Sequence, residues 1–433
     1  MSALKISVIG AGSTYTPELM EGLIKRKNEL DLKELCLMDI NTKKLGILAK
    51  MVTRMFDYEG IKCKITSADS YKEAIMDSDF VLGQIRVGGL QARIKDEKIP
   101  LKYNLIGQET TGAGGFMNAL RTIPVMMEIA GCIEKYSKDA FLINFSNPSG
   151  IIAELLLNHT NIKMLGLCNV PIHMKENVMG CIPENTKDVD IEYVGLNHLS
   201  WITKINCDNV DILPALLKEK KGLTKMNNIA NFDMDEDLLY SIKAIPSGYL
   251  QYFYYREHQL KHLNENEKCR GEVCMQIEEE LLKMYSDTKF TKKPEILNER
   301  GGYMYSEAAI SLLSAIANDK NERHIADVKN NGALEFMEKD DVVELDCLIN
   351  SKGASPIKIR NFTNQHIICM MRTLKAYEKH TVKAGLYGDE NEAINALLVN
   401  PLIGDFDKAK KVLDDLLEAH KEYLPQFKNL RIL

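Results

Sequence analysis

No Cys-x-x-Cys pair occurs in this 433-residue chain, although it holds ten cysteines. Thiols scattered without a regular framework exclude a disulfide-stapled scaffold and fit reduced cysteines in a cytoplasm. No apolar run approaches 18 residues, so no membrane helix is expected. Positive charge is not in excess. The 55 Lys and Arg stand against 61 Asp and Glu, a net charge of −6, which argues against wholesale nucleic-acid binding. Local arginines still leave room for an anionic small substrate. Internal repeats, low-complexity tracts and long linkers are missing too. The first residues enter a short apolar stretch at once, so no signal peptide is expected.

What is present is a soluble globular composition, 45% hydrophobic and 27% charged, at a length that calls for two domains. Leu4–Ile9 reads as a buried parallel strand by its β-branched content. Gly10-Ala11-Gly12-Ser13-Thr14 follows, and Pro17 opens a helix. A strand, a glycine turn and a helix N-terminus form a site for a pyrophosphate. Glu34–Met38 is the next strand and ends in Asp39, placed to accept from the ribose of NAD and to repel the extra phosphate of NADP. Tyr15 holds the position of the third glycine in the usual G-x-G-x-x-G motif, so the turn alone is a weak signal. The acid after the second strand gives it weight. Alternation then continues with a helix at Lys43–Tyr58, strands at Cys63–Thr66 and Phe80–Ile85, a helix at Met117–Tyr136 and a strand at Ala140–Asn144. The fold class is α/β: an N-terminal Rossmann-type doubly wound parallel sheet over residues 1–168, and a mixed α+β domain over residues 169–433.

Ligands of such sheets sit beyond the carboxyl ends of the strands. There the sequence places Arg86 and Arg93, suited to bidentate capture of phosphate or equally to surface pairing with Asp96 and Glu97. Gly107–Gly115 reads as a flexible loop, and Glu109 within it is either a site carboxylate or a solvated acid. Asn147-Pro148-Ser149 reads as a turn and helix cap. Cys168 ends the strand Lys163–Leu167, and His198 joins the apolar runs Ile191–Leu196 and Leu199–Ile205. Each is a core residue or a metal ligand. Two protein ligands would leave positions open for substrate oxygens, and thiolate with imidazole suggests zinc by softness. In the second half, Ile212–Lys220, Leu238–Ile242, Cys269–Tyr285, Tyr303–Asn318, Asn364–Lys383 and Asp405–His420 read as helices. His324–Val328 and Val342–Leu348 read as strands.

With these motifs in order, the chain resembles glycoside hydrolase family 4, the NAD- and metal-dependent glycosidases, over essentially its whole length. The markers are Val8–Ser13, Arg86-x-Gly-Gly-x-x-x-Arg93-x-x-Asp96-Glu97, Asn144-x-x-Asn147-Pro148, Cys168-Asn169-x-Pro171, Gly195-Leu196-Asn197-His198, Tyr249 and Arg300-Gly301-Gly302. Cys168-Asn169-Val170-Pro171 is most similar to the 6-phospho-β-glucosidase members. Members acting on α-linked phosphosugars tend to carry Asp where Asn169 stands, and Asn cannot donate as an acid. The resemblance implies NAD+ bound by Gly10, Gly12, Ser13, Thr14, Asp39, Arg86 and Asn147. It implies a divalent metal, Mn2+ rather than zinc, on Cys168 and His198. Substrate contacts fall to Arg93, Asn147, Arg270 and Arg300. Tyr249 is implied as the base for the C2 proton, with Glu109 raising its basicity, although Tyr252, Tyr254 and Tyr255 are close enough to compete. The implied substrate is a small phosphorylated disaccharide or glucoside, and the implied assembly a cytoplasmic homodimer or homotetramer. The same fold class houses NAD-dependent hydroxy-acid dehydrogenases, but the Asp–His relay they need is not evident here.

Overall fold

The computed structural model describes residues 3–219, 222–225, 232–300 and 304–427. Lys220 and Tyr303, at the ends of two expected helices, and Gly301 and Gly302 of the Arg300 motif lie outside these residues. Thirteen strands are described: β1 (Leu4–Ile9), β2 (Leu32–Met38), β3 (Lys64–Ala68), β4 (Phe80–Gly83), β5 (Phe141–Asn144), β6 (Lys163–Gly166), β7 (Val189–Leu196), β8 (Leu199–Cys207), β9 (Val210–Asp211), β10 (Ile245–Pro246), β11 (Glu322–Lys329), β12 (Val342–Asn350) and β13 (Gly353–Pro356). All belong to one sheet. Its first half runs β3-β2-β1-β4-β5-β6, all parallel, the strand order of a Rossmann fold. The order reverses between β1 and β4, which opens the crevice where dinucleotides bind.

Beyond β6 the sheet turns antiparallel through β11, β12, β7, β8 and β10. The joint is narrow, because β6 meets β11 only at Gly166 opposite Asp327. A Cβ on Gly166 would come within 2.5 Å of the Asp327 carboxylate, so the absent side chain makes room for the acid. Asp327 also accepts from Ser149 Oγ at 2.6 Å. Cys168 lies two residues past this joint.

Strand alternation sends side chains to two cores. From β1, Ile6 and Val8 pack with the helices Thr16–Lys25, Thr42–Tyr58 and Tyr305–Ala317, while Ile9 faces the other layer. That second layer holds Gly112–Tyr136, Ser149–His159 and Gln365–Tyr387. The Gly112–Tyr136 helix is long and apolar enough to cross a membrane. Here most of its length is buried among the other helices.

Two expectations are corrected. Gly107–Gly115 is no flexible loop. Gly107 through Thr111 are mostly buried, and Gly112–Gly115 form the first turn of the long helix. A Cβ on Gly107 would overlap the Glu97 carbonyl oxygen, one on Gly114 the Gln108 oxygen, and one on Gly115 the backbone of Thr110. These glycines allow close backbone approach rather than freedom. Second, Arg86 and Arg93 do not pair with Asp96 and Glu97 at the surface: Arg93 and Glu97 pair in the interior, and buried Asp96 pairs with Arg121. Arg93 lies in a helix, Gly89–Leu101, that the sequence reading did not assign. The helices Ser149–His159 and Val170–Met179 also escaped that reading. Ser149–His159 is buried along eight of its eleven residues, so it has no polar face to set a period.

Candidate active site

A cleft of about 520 Å3 runs from the β1 turn, across the carboxyl ends of the strands, to the β7–β8 turn. That is the size of a pocket for a cofactor and a small substrate together. At one end Gly10 has φ of +92° and no room for a Cβ, which would lie 2.7 Å from the Gln84 carbonyl oxygen. Gly12 is pressed against Asp39, and its N–H donates to Asp39 Oδ2 at 2.9 Å. The Asn41 N–H donates to the other oxygen at 2.7 Å. The acid is thus held at the end of β2 with lone pairs to spare for ribose hydroxyls. Ser13 lines the cleft with Gly10 and Gly12. Thr14 does not: it is fully buried, and its carbonyl accepts from the Tyr285 hydroxyl at 2.9 Å.

The middle of the cleft is an arginine cluster around one carboxylate. Arg86 donates to Glu109 Oε2, and Arg93 reaches Glu109 Oε1 at 3.0 Å. Arg93 also bonds Glu97 at 2.8 Å, and Glu97 accepts from the Gly271 N–H at 2.7 Å. Burial opposes the Glu109 charge, but the two arginines outweigh it and hold the carboxyl at about 2. Glu109 is therefore a paired site carboxylate and not a solvated loop acid. Arg270 and Arg300 join from the second half, and Asn147 from the turn after β5. Arg300 lies over the Tyr15 ring at 5.7 Å, and its Nε is buried without a protein partner. A guanidinium among the cleft-lining residues is suited to a phosphate oxygen.

At the far end Cys168 Sγ lies 3.2 Å from His198 Nε2. Metal bonds of about 2.3 Å to sulfur and about 2.1 Å to nitrogen, at angles from a right angle to tetrahedral, would hold these donors about 3.1 to 3.6 Å apart. The pair therefore fits a shared metal. Among the described residues no third His, Cys, Asp or Glu completes a metal cluster, so other coordination positions stay open. Cys168 does not line the cleft itself but backs onto it behind His198 and Asn169. His198 occupies the two-residue turn between β7 and β8 with φ of +63°, a left-handed conformation uncommon outside glycine. Burial holds its imidazole neutral down to about 4, and burial pushes the Cys168 thiol well up.

Tyr249 stacks flat on the His198 ring, centroids 3.9 Å apart and planes within 8°. Burial first, then the neighbouring Cys168 and Glu109, raise its phenol well above the ordinary value. Its three rivals point elsewhere. Tyr254 is bonded to Trp201 and His366, Tyr255 to Asp235, and Tyr252 lies beneath Tyr249 outside the cleft lining. Sequence reasoning missed one phenol. Tyr305 lines the cleft, hydrogen-bonds Asn147 and reaches the Cys168 thiol. It also missed Gln108 and Thr110, buried beside His198. Nothing in their spacing marks either group.

A Rossmann-ordered crevice that ends at an imidazole and a stacked phenol, with a thiol behind them, defines a dinucleotide-binding enzyme. Its family follows from comparison with known sequences. Residues 5–183 match the family 4 glycosyl hydrolases and residues 193–403 their C-terminal domain, and the chain belongs to that family. It is 40% identical to the "Probable 6-phospho-beta-glucosidase" of Bacillus subtilis (strain 168), covering 98% of both chains. It is 30% identical to the phospho-alpha-glucosidase of Clostridium acetobutylicum, over 98% of this chain and 99% of the relative. The structure of the Thermotoga maritima 6-phospho-beta glucosidase with manganese, NAD+ and glucose-6-phosphate superposes with a TM-score of 0.87 at 35% identity, covering 97% of this chain and 99% of that one.

Proposed function

We propose that this chain is an NAD- and manganese-dependent 6-phospho-β-glucosidase. The observation that carries the reading is the continuity of one cleft from the Gly10–Gly12 turn to the His198–Tyr249 stack, which lets a nicotinamide, a metal and a sugar ring meet.

When bound, NAD+ takes hydride from the sugar C3 and later returns it, while the metal polarises the C2 and C3 oxygens. The chain's own residues do the rest. Cys168 and His198 hold the metal and leave its cleft side to substrate. Tyr249 takes the C2 proton, made acidic by the C3 ketone. Burial holds its phenol protonated, so it serves as the base only where a bound cation offsets that penalty and makes the phenolate available. Loss of the aglycone from C1 and addition of water then complete a cycle with no net oxidation. Glu109 keeps Arg86 and Arg93 in place. Arg93, Arg270, Arg300 and Asn147 bind the phosphate and sugar. Asn169 buries its amide beside Cys168 and offers no acid to the leaving group, which favours aglycones with good leaving ability and β-linked substrates. The proposal includes a cytoplasmic setting and a homodimer or homotetramer, to be tested by sedimentation.

The decisive experiment uses protein stripped of metal and nucleotide and the nitrophenyl β-glucoside 6-phosphate. Nitrophenol release only with Mn2+, NAD+ and thiol reductant together, without NADH accumulating, is the expected result. Release without NAD+ refutes the redox–elimination route. Faster turnover of the α-anomer would reassign the substrate to the α-linked class.

A further inference from the structure

We propose that Gln108 and Thr110 fix the tautomer of His198, so that the Nε2 lone pair faces Cys168 and is ready for the metal. The proposal rests on the reading of Cys168 and His198 as metal ligands.

The hydrogen bonds leave one assignment of protons. Gln108 Oε1 accepts from the backbone N–H groups of Thr110 at 2.6 Å and Thr111 at 2.9 Å. Two N–H donors converging on that atom identify it as the amide oxygen, since an NH2 could not accept them. Thr110 Oγ1 lies 2.8 Å from the same oxygen. The amide oxygen has no proton, so the single hydroxyl proton of Thr110 points to it. Thr110 Oγ1 is also 3.0 Å from His198 Nδ1. Its proton is already committed, so it accepts here and Nδ1 carries the hydrogen. A neutral imidazole with hydrogen on Nδ1 has its lone pair on Nε2, the atom 3.2 Å from Cys168 Sγ. In the opposite tautomer two lone pairs would face each other at Thr110, and an N–H would block the metal position.

The geometry is stiff as well as complete. Gln108, Thr110, Thr111 and His198 are all buried, and the segment is clamped where Gly107 meets Glu97 and Gly114 meets Gln108. Partners of this kind orient metal-bound histidines, and losing one weakens metal affinity about 10- to 100-fold. Gln108 and Thr110 are thus positioning residues. Neither lines the cleft.

The test measures Mn2+ affinity of the full-length NAD+ complex by the electron paramagnetic resonance signal of free Mn2+. Thr110→Val should weaken binding about 10- to 100-fold with NAD+ affinity unchanged, and Thr110→Ser should restore it. Equal loss in both Thr110 variants, or no loss in Thr110→Val, overturns the proposal. Nitrogen-15 NMR of the metal-free wild type gives a check independent of folding in the variants. His198 should show its proton on Nδ1, with the signal assigned by its absence in His198→Gln. A proton on Nε2 overturns the proposal. Cys168→Ser and His198→Gln separate the two layers of inference. If they too leave Mn2+ affinity intact, the ligand assignment itself fails. If they abolish it while Thr110→Val does not, only the role of Thr110 fails.

Discussion

Replacing Tyr249 by Phe removes one hydroxyl from the site and little else. The ring lies flat on His198 at 3.9 Å and is 7% exposed, and Phe keeps both the stack and the burial. The change in stability should be at most about 1 kcal/mol, the net worth of an ordinary hydrogen bond. The chemistry should suffer far more. A positioned general base contributes about 10^2- to 10^4-fold, or about 3 to 5 kcal/mol on the barrier. The expected result is a kcat for nitrophenyl β-glucoside 6-phosphate reduced by that factor, with Mn2+ and NAD+ affinities unchanged. Exchange of the C2 hydrogen with solvent deuterium, followed by NMR, should fall in parallel, because that step is the one assigned to Tyr249. A variant that keeps a third of the activity, with C2 exchange at the wild-type rate, would refute the reasoning. Loss of exchange in Tyr305→Phe but not in Tyr249→Phe would transfer the role to Tyr305.

Asp39→Ser should weaken NAD+ binding about 10- to 100-fold through lost charge-assisted hydrogen bonds and improve NADP+ binding, as read by fluorescence titration. Unchanged NAD+ affinity would show that the acid only braces Gly12. Gly107→Ala should cost about 1 to 3 kcal/mol, because its methyl meets the Glu97 carbonyl rather than a yielding side chain. A thermal midpoint equal to wild type would contradict that contact. Asp327, Glu344 and Glu378 are buried around Lys375 and Glu154 behind the β6–β11 joint. Burial raises all three carboxyls, Glu378 to about 7. Folded acids with raised pKa hold protons that the unfolded chain has released. Their stabilisation is complete below the ordinary carboxylate range and is lost as pH climbs through about 7. Metal-free protein should therefore melt at lower temperature at pH 8 than at pH 5. Glu344→Gln should flatten that slope, and an unaltered slope would remove Glu344 from the account.

Much of this protein is legible in its sequence, for local reasons. β-branched runs, the Gly10–Gly12 turn and Asp39 specify a strand, a turn and an acid through neighbours in the chain, and repeated β-α alternation specifies a doubly wound parallel sheet, while its strand order is seen only in the structure. The two metal-type residues could be named because each ends or joins an apolar run. Buried helices such as Ser149–His159 could not be read, because an element apolar on all sides leaves no period. Glycines 107, 114 and 115 suggested freedom where the fold uses them for contact. That difference lies in what stands opposite them, and a sequence does not show it.

The sequence by itself determined the Rossmann half, the preference for NAD implied by Asp39, and the set of residue types from which a site could be built. Only the tertiary structure decided which of them meet. Cys168 and His198 are thirty positions apart and become neighbours because β7 folds back through β12 and β11 beside β6. Tyr249 was one of four closely spaced tyrosines until the turn after β10 laid its ring on His198. Glu109 changed from a loop acid into the partner of two arginines when Gly107 let the backbone close on Glu97. Pairings of this kind depend on through-space distances and on the exclusion of water, which arise only when distant segments pack together.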